Sequence, residues 1–158
     1  MALTQVPASM MSAGGVPSFD GIKFPASQVA SADANTLDDY EEGTWTPTDG
    51  SGAGLSFTTY DCYYTKVGRV VYISMAVTFP STASSAAMRF NGLPFTVKAG
   101  DDNSMGLVVA NTNSARLDTF AFGRGTTAIG ASTTSNTDVA NSLYSTKKLN
   151  LSGFYIIA

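Results

Sequence analysis

The stretch GRVVYISMAVTF, residues 68–79, alternates without interruption. Val71, Ile73, Met75, Val77 and Phe79 take one parity, and Val70, Tyr72, Ser74, Ala76 and Thr78 take the other. Successive side chains of a β-strand point to opposite faces, so a period of two lays an unbroken apolar row along one side of a sheet. Composition points the same way. Charged residues make up only 13% of the chain, whereas a helical protein of this size would carry many Glu, Lys, Leu and Arg residues. Thr, Val, Tyr and Phe recur instead in short bursts between small polar residues, a bias that favours strands. The chain is expected to be all-β.

Shorter segments repeat the message with less force. LSFTTY (55–60) and CYYTK (62–66) read as two short strands with Asp61 near their junction. AMRFNGLPF (87–95) carries Asn91-Gly92 as a turn signal. MGLVVA (105–110) and RLDTFAFG (116–123) read as strands, separated by a turn at NTNSA (111–115). The small-residue stretch from Gly123 to Ser142 holds at most one weak strand. KLNLSGFYIIA (148–158) is too apolar to fray in water and should be tied into a sheet. Seven or eight short strands without a fixed repeat predict an antiparallel β-sandwich, jelly-roll-like, over residues 37–158. At 158 residues the chain suits one domain with one core.

Residues 1–36 break the pattern. Three Pro residues and Gly14-Gly15 argue against a long helix or a central strand, yet small apolar clusters recur. An extended N-terminal arm that packs against another surface is the physical compromise. Charge divides near the same place. Residues 1–50 hold seven acids and one base, while residues 51–158 hold five acids and eight bases. Those bases are scattered apart from Lys147-Lys148, so no strip follows a phosphate backbone and no nucleic-acid partner is expected. No apolar run approaches a membrane span, and the first residues lack a signal-peptide pattern, so no membrane insertion is expected.

Arm and domain meet in NTLDDYEEGTWTPT (35–48), where Asp38, Asp39, Glu41 and Glu42 surround Tyr40 and run into Trp45, the single tryptophan. With GIKFP (21–25), YTKVGRVVYIS (64–74) and NGLPF (91–95), this stretch forms an ordered set of motifs. In them the chain resembles tail-fibre, tailspike and related fibre or knob proteins of tailed bacteriophages, over roughly residues 21–158. The resemblance implies a non-enzymatic, β-rich virion structural protein, assembled in the host cytoplasm as a homotrimer. It would stand on the particle as a short fibre or knob, on the tail and with a role in host-receptor binding. A capsid-attached head fibre or decoration protein is the alternative location, and a carbohydrate-binding module the alternative class. Val6, Pro7, Met10, Met11, Val16, Phe19, Ile22 and Phe24 of the arm are the candidate anchoring contacts to another virion protein. A host cell-surface glycan is a further candidate partner.

Catalytic readings fare poorly. The chain has no histidine, which removes the commonest base of nucleophile pairs and the commonest nitrogen ligand of zinc. Four acids within five residues cannot easily present two carboxylates across one cleft, as glycoside hydrolysis requires. The stretch also lacks the ligand alternation of a calcium loop. It reads as a structural junction. Asp38-Asp39 would begin a turn or short helix, Gly43 would permit an unusual backbone angle, and Tyr40 and Trp45 would plug the sandwich edge. No catalytic residue, metal or cofactor is expected. Lys66 and Arg69 flank Gly68 and read as solvated bases of a hairpin turn, and Cys62 reads as a small core side chain. The ten aromatic residues Tyr60, Tyr63, Tyr64, Tyr72, Phe90, Phe95, Phe120, Phe122, Phe154 and Tyr155 are read mainly as core and intersubunit packing, with one or two loop tyrosines free to touch a sugar.

Overall fold

A computed structural model describes residues 33, 37, 39–100, 109–112, 119–123, 125–132 and 137–158. The arm and its candidate anchoring residues, Val6 to Phe24, lie outside the described residues, as does Asp38. The described chain is built from β-strands in two antiparallel sheets, the all-β sandwich architecture that alternation predicts.

The first sheet follows the order β1 (Tyr40–Thr44), β4 (Tyr63–Val67), β5 (Val70–Thr78), β10 (Lys148–Ile156) and β7 (Val109–Thr112). A two-residue strand, β3 (Thr58–Thr59), also pairs with β5. The second sheet runs β2 (Thr48–Asp49), β6 (Arg89–Asn91), β9 (Ala128–Ser132) and β8 (Thr119–Phe122). Strong alternation at 68–79 becomes β5, which pairs with β10 along nine residues, from Val70↔Ile156 to Thr78↔Lys148. The apolar C-terminal run is thus held in mid-sheet between β5 and β7.

Val71, Ile73, Met75, Val77 and Phe79 are all buried, and Leu149, Leu151 and Tyr155 of β10 join them. Phe90, Ile129, Ala131 and Phe122 meet them from the second sheet. Ring packing knits the layers: Phe79 lies 5.9 Å from Phe90 and 5.7 Å from Tyr144, and Phe122 lies 5.0 Å from Tyr155. Offset and edge contacts of this kind add to plain area burial. Cys62 is buried as a small core residue.

Three local expectations need correction. Of MGLVVA only Val109 and Ala110 lie within the described residues; they belong to β7, which takes in Asn111 and Thr112 of the expected turn. Side-chain parity cannot fix register where polar and apolar residues mix this evenly. The weak strand in the small-residue stretch is a full member of the second sheet, β9, with Ile129 and Ala131 inward and neighbours on both sides. Finally, among the described residues no turn or short helix runs on from Asp39. Tyr40–Thr44 is a strand, because cross-strand pairing with β4 outweighs the low strand preference of its glutamates and glycine.

Candidate functional site

The acidic stretch is built onto β4 in strict antiparallel register: Tyr40↔Val67, Glu41↔Lys66, Glu42↔Thr65, Gly43↔Tyr64 and Thr44↔Tyr63. Alternation therefore sends Glu41 and Gly43 to the face shared by Tyr64 and Lys66, and Tyr40 and Glu42 to the opposite one. Asp39 precedes the strand. Its carboxylate is buried and ion-paired with the Lys66 ammonium, which also lies 5.1 Å from the centre of the Phe95 ring. The Asp39 carbonyl accepts a hydrogen bond from the Gly68 amide at 2.8 Å, fixing the entry to the strand against the β4–β5 turn. Lys66 is thus no solvated hairpin base; its parity with Tyr64 turns it inward.

Each glutamate is held by a tyrosine. The Tyr64 hydroxyl donates to Glu41 Oε1 at 2.5 Å, and the Tyr40 hydroxyl donates to Glu42 Oε2 at 2.8 Å. Donating to a carboxylate favours the protonated phenol, so both tyrosines titrate above their ordinary range. Tyr64 is pushed up to about 12 by that hydrogen bond, by burial and by the Glu41 charge. The Tyr64 ring stands edge-on to Phe95, with centroids 5.5 Å apart. Gly43 lies within the strand and has no positive φ. What requires glycine there is space: a Cβ would meet ring and hydroxyl atoms of Tyr64 at 2.9 Å. Past the strand, the chain crosses to the second sheet at Trp45, whose ring is buried and whose indole N–H donates to the Ser74 carbonyl at 3.0 Å. The corner is closed by Gly92, at φ 95°, where a Cβ would sit 2.5 Å from the Thr46 carbonyl oxygen.

Chemically this assembly is a clamp. Glu41 and Glu42 face opposite sides of one strand, so they do not converge on a substrate. Among the described residues no group of three or more Asp, Glu or Cys is placed to hold a metal ion.

The aromatic residues separate into two sets. Phe90, Phe122 and Tyr155 are buried, and Tyr64 and Phe95 pack partly against the core. Tyr60, Tyr63, Tyr72 and Phe154 are exposed together on the outer side of the first sheet. The outward position of Tyr72 was legible in the parity of residues 68–79; its pairing with Phe154 came only with the β5–β10 register. The side chain of Phe120 is not among those described. No family model matches this chain, and no curated protein or solved structure matches it either.

Proposed function

We propose that this chain is a non-enzymatic structural protein of a bacteriophage particle. In this reading it is a short homotrimeric fibre or knob, with residues 1–36 attaching it to another virion protein. The observation that carries the reading is spatial. Three of the four motifs that resemble phage fibre proteins, distant in sequence, converge on one clamp. Asp39 of the first meets Lys66 of the second, Lys66 and Tyr64 meet Phe95 of the third, and Trp45 bonds to Ser74. Gly92 of the third motif packs its backbone on Thr46 of the first. Motifs that spend their residues on each other in this way maintain an architecture; they leave no converging acids or bases for turnover. A folded domain joined to an apolar, proline-bearing segment also suits a projection fastened by an extended tether, and three tethers per trimer multiply weak attachment through effective concentration.

Mass-spectrometric inventory of purified phage particles tests the reading. The chain should appear as a stoichiometric component. Its absence from particles that are otherwise complete would refute the assignment.

A further inference from the structure

Nine large apolar side chains are exposed among the described residues, and seven of them share the outer face of the first sheet: Tyr40, Tyr63, Val67, Val70, Tyr72 and Phe154 form one group, and Tyr60 stands farther along β5, beside Ala76. The registers make this a contiguous patch. Tyr40 lies opposite Val67 and Val67 opposite Val70, in one row across three strands. In the next row Thr65 lies opposite Tyr72, and Tyr72 opposite Phe154. Tyr63 borders them across from Thr44. No large apolar side chain among the described residues is exposed on the strands of the second sheet, whose outer side carries the Arg89–Asp138 pair instead. Among the described residues, the strands of one sheet turn large apolar side chains to water and those of the other do not.

From this asymmetry we infer that the outer face of β1, β4, β5 and β10 is the contact between copies of this chain. The inference deepens the trimeric reading and rests on it only for the number of copies.

Area supports a second copy as the occupant. The four aromatic residues are 37 to 52% exposed. At about 200 Å² per aromatic side chain they leave about 370 Å² open, and Val67 and Val70 bring the apolar total to about 500 Å². A standard interface draws about 800 Å² from each partner, of which about 60% is non-polar, or about 480 Å². Six side chains therefore supply the apolar share of a stable interface. Charge agrees as well. The same face bears an acid, Glu42, on β1 and a base, Lys148, on β10, so it is self-complementary and not suited to a strongly charged partner. Tyrosine and phenylalanine are also the residue types that interface centres favour.

The test uses the full-length chain. Static light scattering of the wild type at micromolar concentration should give a multiple of the 16.4 kDa protomer mass. A double variant, Tyr72→Thr with Phe154→Thr, keeps good strand formers and should fall to the mass of one chain while retaining its β circular dichroism. Val70→Thr, which keeps the shape and loses the apolarity, should raise the midpoint concentration of dissociation at least tenfold. Leu143→Thr, exposed on a different element, should change neither. An oligomeric wild type whose Tyr72/Phe154 variant stays oligomeric would overturn this face as the interface while leaving the trimer standing. A monomeric wild type would overturn both. Loss of glycan-array binding in the Tyr72/Phe154 variant with oligomer mass unchanged would reassign the face to sugar stacking and overturn the proposal.

Discussion

Removing one charge of the Asp39–Lys66 pair leaves the other inside a site largely closed to water, where an uncompensated ion is costly. Asp39→Asn should therefore lower unfolding free energy by about 3 kcal/mol. Asp39→Asn combined with Lys66→Met should recover most of that loss, because a desolvated pair is worth little more than apolar packing of similar size. Urea denaturation of the wild type and the two variants checks both halves. Tyr64 provides a pH signature of the same clamp. Its hydroxyl is pushed from 10 to about 12, so the folded state favours the protonated phenol. That contribution is complete below pH 10 and is lost as pH rises through 10 towards 12. Tyr155, raised to about 12 mainly by burial, adds a second contribution of the same sign. Tyr64→Phe should thus shrink the alkaline fall in melting temperature without abolishing it. An unchanged alkaline limb would show that the Glu41 bond contributes nothing.

Between elements, the two tight connections make different demands on glycine. Gly68 turns β4 into β5 at φ 56° with open space where a Cβ would stand. Only backbone preference is at stake, so Gly68→Ala should cost about 1 kcal/mol, and Gly68→Asn less. Gly92 adopts φ 95° against the Thr46 carbonyl, and a side chain there would force the β1–β2 corner away from the turn. Gly92→Ala should cost well over 2 kcal/mol, with strain and clash acting together. Denaturation midpoints of the three variants give the ranking directly. Equal penalties at the two positions would mean that the corner yields freely, and the packing of Gly92 on Thr46 would lose its role as a lock.

At the scale of the whole molecule, the proposed function puts attachment in residues 1–36 and folding in the sandwich. A chain beginning at Asn35 keeps the acidic strand, both sheets and the proposed contact face. It should fold, show a β-type circular dichroism spectrum and assemble to the same number of copies as the full-length protein. It should also fail to join particles, since the proposed tether is gone. Incorporation equal to that of the full chain would move the anchoring role into the sandwich itself.

Alternation in residues 68–79 was enough to name the central strand and its buried row, because a period of two has one physical reading when the apolar parity is unbroken. The inward reading of Cys62 was legible for a similarly local reason, whereas Asn91, read as part of a turn, is the last residue of β6. The acidic strand was not legible. Asp, Glu and Gly are poor strand formers in isolation, and only the β4 partner, with Lys66 placed for Asp39 and Tyr64 for Glu41, makes an extended strand the lower free energy. Strand β9 was hidden likewise, since AIGAS has too few large side chains to announce a face until neighbours on both sides bury Ile129. The exposed patch lay furthest from sequence. Tyr72 and Phe154 stand 82 positions apart, and their adjacency is a matter of register between β5 and β10. Sequence by itself determined the periodicity and hence the class of fold, because periodicity is a local property of the backbone. Which side chains meet across strands is set by pairing partners and register, and those belong to the tertiary structure.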